Sequence, residues 1–416
     1  MNAAFIIAEY NPFHNGHEYH IKKTISELQP DAVICIMSGH FTQRGSAAIC
    51  DKWSRARMAL LAGADLVLEL HPVYACSSAE YFARGALMTA ALTGIGGWLS
   101  FGAEHPDLSL FSDLAAILND EPGRFKEVIS DLLKKGLPYA AARQRALTEC
   151  YFADSHRDKI SRGELAAAIK SPNNILAIEY IRAIKSLNLP ITPVAVPRTA
   201  EAGTADATEI RDWIRGSAAP NRGILQVRDV TPVYAAALLS TEFSLGRGPV
   251  FDDCFFTQLY AIIRRGGPGL LRTYRDVGEG LENRLYDAVL TSGSYDEVLE
   301  KTSAKRYPKS RIRRILTNVL LGCGGGEPQA IGAEKGPPYL RVLGFTDAGR
   351  KLLSVPDAGA PIITNYKKAA GYGERAKRFM ELESRATDIF VKAFANAGFR
   401  NSGQDFIRAP ARINVT

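Results

Sequence analysis

His14 and His17 stand three residues apart with Gly16 between them, and a short apolar run, AAFIIAE (3–9), leads into them. On the first turn of a helix that spacing points both imidazoles the same way. Backbone N–H groups at a helix start, with the helix dipole behind them, favour a phosphate. Gly16 lets the backbone come close to it. Two imidazoles beside a nucleotide α-phosphate can stabilise the charge that develops as the phosphorus becomes pentacoordinate. The order strand, turn, helix therefore predicts a phosphate site with His14 and His17 as its catalytic pair. The plainer alternative is two surface histidines at a helix start.

Other residues have chemistry to offer. Ser38, Gly39, Gln43 and Arg44 belong to SGHFTQRG (38–45), a loop after a second apolar run, and an arginine at a strand end suits a small carboxylate or a phosphate. Glu69 and Glu80 lie in or beside apolar stretches and read either as site residues or as buried, paired carboxylates. The segment Asp206 to Arg211, DATEIR, reads as a helix start with Asp206 as its N-cap. A negative charge there is unfavourable beside phosphate, so Asp206 is not counted in the site. In the second half, KTSAKRYPKSRIRR (301–314) is the densest cationic stretch. Ile312, Ile315, Leu316 and Val319 form one helix face, while Arg311, Arg313 and Arg314 fall away from it. Together with Lys305, Arg306 and a Tyr307 able to stack on a base, they are the candidate RNA surface. A solvated helix face is the bland reading of the same charges.

The elements that must hold these residues alternate. Strands are expected at 3–9, 31–38, 65–70, 98–104 and 191–198, and helices between them, including 51–63, 78–94, 171–186 and 206–216. Apolar runs alternating with helices of 10–15 residues predict a parallel, doubly wound, Rossmann-like α/β sheet that binds ligands at the carboxyl ends of its strands. Residues 105–165 read as a helical insertion. A first domain is expected at 1–216 and a mainly helical α+β second domain at 217–416, with the boundary in SAAPNRG (217–223). Strands are expected at 339–345 and 361–365, and the glycine-rich 322–338 as a mobile loop.

Composition agrees with such a chain. A hydrophobic share of 46% with 23% charged residues is that of a soluble globular protein, and no run is long enough for a membrane helix. The first residues read as a buried strand, not a signal peptide. The six cysteines show no metal-ligand spacing, which points to a reduced, cytoplasmic protein without a structural metal. Residues 1–215 hold 22 Lys and Arg against 24 Asp and Glu, whereas residues 216–416 hold 29 against 20. A neutral first half and a basic second half fit chemistry in one and a polyanion on the other. All seven histidines lie at or before His156.

The HNGH run (14–17) resembles the HxGH motif of class I aminoacyl-tRNA synthetases and adenylyltransferases. Taken with SGHFTQRG (38–45), DLVLEL (65–70), SSAEYFARGA (77–86), SFGAE (100–104), SPNNILAIEYIRAI (171–184) and VPR (196–198), it resembles the bacterial tRNA(Met) cytidine acetate ligases. The resemblance implies an enzyme that uses ATP, with Mg²⁺ on the β,γ-phosphates, to turn acetate into acetyl-adenylate. It then acetylates N4 of the wobble cytidine of elongator tRNA(Met). It also implies ATP contacts at Ile7, Ala8, Glu9, Tyr10, Asn11, Pro12, Phe13, His14, Asn15, Gly16, His17, Glu18, Tyr19 and His20, and at Gly102, Asn173 and Arg198. No GxSxG elbow and no RxxGxG/A loop is present, so free acetate is the expected donor in place of acetyl-CoA. The alternatives are a small-molecule adenylyltransferase and an RNA-binding or assembly protein with a relict nucleotide site.

Overall fold

The computed structural model describes residues 1–153, 160–198, 205–217, 220–355 and 358–414; His156 and part of the boundary stretch 217–223 lie outside them. Five parallel strands form where the apolar runs predict them: β1 (Asn2–Ala8), β2 (Ala32–Ser38), β3 (Leu66–Leu70), β4 (Gly96–Ala103) and β5 (Ile191–Pro197). Their order across the sheet is β5-β4-β1-β2-β3. β1 therefore lies between a strand that follows it in the chain and one that comes much later, which makes its carboxyl end a switch point where ligands bind.

Alternation along β1 sends Ala3 and Phe5 to one apolar cluster and Ala4 and Ile6 to the other. Helices α1 (Asn15–Leu28) and α2 (Lys52–Leu61) cover the second face, and the helices Ala79–Ala91, Leu108–Asp120 and Pro172–Ser186 cover the first. The expected insertion is helical through Leu108–Asp120, Gly123–Lys134, Tyr139–Tyr151 and Arg162–Ala168.

The sheet does not stop at residue 216. Strand β6 (Leu340–Thr346) pairs antiparallel with β3, and β7 (Ile362–Ile363) and β8 (Ala411–Ile413) pair with β6. Without β6, β3 would present an edge of unpaired N–H and C=O groups; the second half closes that edge. A buried ionic cluster fastens the junction. Lys52 Nζ lies 2.7 Å from Glu69 Oε2 and 2.9 Å from Asp405 Oδ1, and Arg341 reaches Asp405 at 2.8 Å, Glu69 at 3.4 Å and Glu383 at 3.5 Å. Glu69 is thus a buried, paired carboxylate, and Glu80 pairs with Arg182 at 3.1 Å.

The glycine-rich connection expected as a mobile loop is tied down. It contains the turn Glu327–Ala330 and a buried Ile331, and Arg375 donates to the carbonyls of Ile331, Gly332 and Gly336.

Candidate active site

The chain leaves β1 through Glu9, turns at Tyr10, whose φ is 50°, and enters α1 at Asn15 with His14 as N-cap. Tyr10 is held in that left-handed conformation by packing. Its ring lies 4.9 Å from Phe13 and 5.0 Å from His17, and its hydroxyl meets Cys35 Sγ at 3.3 Å.

His14 and His17 form a capping box from ring nitrogens. Gly16 N–H donates to His14 Nδ1 at 3.0 Å, and His14 N–H donates to His17 Nδ1 at 3.3 Å. A nitrogen that accepts carries no proton, so in each neutral ring the proton sits on Nε2. The two rings lie 3.8 Å apart between centroids. Burial, helped by Arg198, lowers the His14 pKa to about 4, and burial holds His17 well below its ordinary value. Two neutral imidazoles with Nε2–H available are hydrogen-bond donors for a phosphate oxygen.

His20, one turn further on, faces β4. Its Nε2 lies 2.9 Å from Ser100 Oγ, which lies 2.7 Å from Thr24 Oγ1, which donates to the His20 carbonyl at 2.8 Å. The proton count leaves one arrangement. Thr24 has spent its proton, Ser100 must donate to Thr24, and His20 must therefore donate from Nε2. Burial lowers His20 to about 4 as well.

The same cause lowers His71 to about 4 and holds His40 well below its ordinary value. These five histidines are neutral when folded and become charged when unfolded below about pH 6.5, the ordinary histidine value. Their folded pKa values are depressed, so the unfolded chain binds more protons and stability is lost as the pH is lowered. The expected loss between pH 6.5 and 4 is about 1.4 kcal/mol per pH unit for each histidine that titrates only on unfolding. Burial raises Glu69 to about 7 and Glu242 to about 6, and it raises Glu9, Asp65 and Asp252 as well, which opposes this trend for those carboxyls. Thermal melts across that range should show Tm dropping steadily; a flat Tm would contradict the buried, neutral assignment.

At the ends of the outer strands, Gly102 lies beside Arg198: a Cβ on Gly102 would be 3.6 Å from Arg198 Cγ. The Arg198 side chain is exposed and has no hydrogen-bond or ion-pair partner among the described residues, while its charge reaches His14, His17 and His20. Asn173 donates to Glu104 Oε1 at 2.5 Å, and Ser171 donates to the other oxygen of Glu104. The buried Asn174 accepts from the Glu104 and His105 amides at 3.1 and 3.3 Å. Asn174 and Glu104 lock the helix start to the end of β4.

The loop after β2 serves two purposes. Ser38 is fully buried, and Gly39 passes so close to Glu69 that a Cβ there would collide with its carboxylate. Arg55 of α2, with no exposed surface, donates to the carbonyls of Cys50 (3.3 Å), Glu9 (2.6 Å), Ser38 (3.0 Å) and Gly39. It binds the ends of β1 and β2 together, and only its place in an amphipathic helix hinted at it. Gln43 donates its amide to Glu9 Oε1 at 2.7 Å, and Arg44 is exposed.

Asp206 caps the helix Ala207–Gly216, accepting from the amides of Thr208 (2.7 Å) and Glu209 (3.0 Å). Arg211 donates to Asn11 Oδ1 at 2.7 Å, so this helix braces the turn before His14. The cationic stretch 301–314 is divided. Lys305 and Arg306 are exposed, with Arg306 paired to Glu279. Tyr307 is only 7% exposed and covered by Arg311, whose guanidinium donates to the Asp276 carbonyl at 2.6 and 3.0 Å. Arg313 and Arg314 are half-buried in the helix Lys309–Leu321, whose backbone packs against Gly45.

Comparison with known proteins shows the family. The family model described as HIGH Nucleotidyl Transferase matches residues 1–405. The chain belongs to that family. Among curated proteins, it is 38% identical over 418 residues to a tRNA(Met) cytidine acetate ligase of Acetivibrio thermocellus, covering 98% of both chains. It is 34% identical over 425 residues to one of Clostridium kluyveri, covering 100% of both. Among solved structures, Thermotoga maritima TmcAL bound with alpha-thio ATP superposes with a TM-score of 0.92 at 32% identity over 100% of both chains.

Proposed function

We propose that this chain is an ATP-dependent tRNA cytidine acetate ligase. It joins acetate to AMP and then passes the acetyl group to N4 of the wobble cytidine of elongator tRNA(Met). The observation that carries this is the pair of Nε2–H donors from His14 and His17 at the start of α1, over the carboxyl end of β1. The names of the full-length relatives supply the substrates.

ATP lies across β1, β4 and β5. Its α-phosphate meets His14, His17 and the amides of the α1 start, and Gly102, Asn173 and Arg198 border the nucleotide. Acetate attacks the α-phosphorus and pyrophosphate leaves, with the imidazoles donating to the oxygens that gain charge. Acetate comes in past Arg44 and Gln43, the part of the 38–45 loop that is not committed to Arg55. Among the described residues no group of three or more His, Cys, Asp or Glu could hold a metal ion. Mg²⁺ enters with ATP, carried on the β,γ-phosphates as part of the substrate. No described helix is long and apolar enough to cross a membrane.

The test is transfer of label from [¹⁴C]acetate to tRNA. ATP-dependent labelling of elongator tRNA(Met), and not of other tRNAs, supports the ligase. Intact ATP binding with no label would replace it with a small-molecule adenylyltransferase. For the RNA, the exposed Lys305 and Arg306 are the outward part of the cationic stretch, with Arg311, Arg313 and Arg314 anchoring the helix behind them. The double substitution Lys305→Ala with Arg306→Ala should raise the KM for tRNA and reduce the slope of log KM against log salt by about 1 to 2. An unchanged slope would place the RNA elsewhere.

A further inference from the structure

The second half of that reaction leaves one proton without an acceptor. When the cytidine amine attacks the acetyl carbonyl, the new nitrogen–carbon bond carries a proton that must go to a base. His14 and His17 cannot take it as they stand, because each spends its Nδ1 lone pair on a backbone N–H and presents a proton at Nε2. Glu69, at the end of β3, is spent on Lys52 and Arg341, and among the described residues Glu104, Asp206 and Glu9 remain to be weighed. Glu104 has both oxygens engaged, by Ser171 and Asn173. Burial raises Asp206, but the amides of Glu209 and Thr208, with Arg44 and Arg198, outweigh it and leave this carboxyl below the usual range. An acid held low is a weak base.

Glu9 differs on each point. It is the residue between β1 and the phosphate turn. Its Oε1 is fixed by the Gln43 amide at 2.7 Å, and its Oε2 accepts nothing among the described residues. No cation lies within ion-pair distance of it among the described residues. The Arg55 guanidinium has its nitrogens on four carbonyls, one of them Glu9's own, and Arg44 is exposed. Arg211 is turned to Asn11.

We propose that Glu9 is the general base of the acetyl-transfer step. As the bond from N4 to the carbonyl carbon forms, the bond from that carbon to the bridging phosphate oxygen breaks, and its electron pair leaves with AMP. The N4 proton passes to Glu9 Oε2 and from there to solvent. This role rests on the ligase reading. The groups facing Glu9 are Arg44 beside Gln43, Arg55 on α2, Arg211 on the helix Ala207–Gly216, Tyr180 on the helix Pro172–Ser186, and Cys76 before the helix Ala79–Ala91. Burial outweighs the Gln43 amide and the three arginines and raises the carboxyl, which strengthens it as a base. Tyr180 and Cys76 are raised by burial and stay neutral at working pH.

The test separates the two steps in the full-length enzyme with Glu9→Gln, which keeps the oxygen that Gln43 needs. Hydroxylamine traps acetyl-adenylate as acetohydroxamate and reads activation; single-turnover transfer of [¹⁴C]acetyl to tRNA reads the second step. E9Q should slow transfer about 100-fold or more beyond any loss in hydroxamate formation. Wild-type transfer should fall as pH drops through the raised Glu9 value, and that limb should vanish in E9Q. Glu9→Asp should recover part of the rate. Equal losses in both steps, a pH limb that survives in E9Q, or the same split seen in Asp206→Asn and not in E9Q would overturn the proposal. A wild-type enzyme that forms no hydroxamate from acetate and ATP would instead overturn the ligase reading, and this role with it.

Discussion

Replacing His14 with asparagine should lower the rate of acetate-dependent pyrophosphate release about 100- to 1000-fold. The Kd for ATP should move by less than about tenfold, or about 1.4 kcal/mol. Asparagine is chosen because His14 serves twice. Its Nδ1 caps α1 through the Gly16 amide, and a capping residue replaced by alanine costs about 1 kcal/mol of helix stability. Asparagine keeps the cap acceptor and removes the Nε2–H that the site presents. A fall in kcat with a parent-like Tm therefore isolates the donor from the cap. The neutral state matters to the sign of the pH effect. Burial holds His14 near 4, so the free enzyme offers the same donor from pH 6 to 8 and the activation step should not lose rate there through His14. A variant that lost ATP affinity and kept its kcat would show His14 to be a ground-state contact only.

How much of this could be read from the chain depends on how far apart in sequence the partners are. The phosphate site is local: strand, turn and helix lie within about one βα unit, and the spacing of His14 and His17 fixes their common direction. The five parallel strands were equally plain, because buried strands read as short apolar runs. What escaped were partners brought in from elsewhere. Ser100 fixes the His20 tautomer across 80 residues, and nothing near His20 announces it. Charge density marked 301–314, yet Arg311 is taken by a carbonyl 35 residues upstream and Tyr307 is in the core. Strand β6 reads as a strand, but only the open edge of β3 decides that it joins the first half's sheet. Asn173 and Asn174 are neighbours with different tasks, and helix geometry, not residue type, separates them.

Arg55→Met should cost about 3–5 kcal/mol of stability, close to the usual loss when one partner of a buried charged network is removed. Methionine fills much of the volume, so the loss reports hydrogen bonds and charge more than a cavity. Four carbonyls, from Cys50, Glu9, Ser38 and Gly39, would lose their donor in a place water does not reach, and each buried acceptor left unmet costs about 1–3 kcal/mol. Burial already lowers the Arg55 pKa, and the carboxyls of Asp51, Glu69 and Glu9 are the groups that favour its charge. Lysine would restore charge but not the planar fork that meets several carbonyls at once, so Arg55→Lys should recover only part of the loss. Two residues along α2, Arg57 is exposed, and Arg57→Met should change stability by less than about 0.5 kcal/mol. Parallel thermal and denaturant melts of the three variants decide the matter. If R55M melted with R57M, the ends of β1 and β2 would be held by their strands alone. If it melts well below, the same arginine that carries no substrate sets the distance between the Glu9 turn and the Ser38–Gly45 loop, and activity should fail in R55M at temperatures where the sheet is still folded.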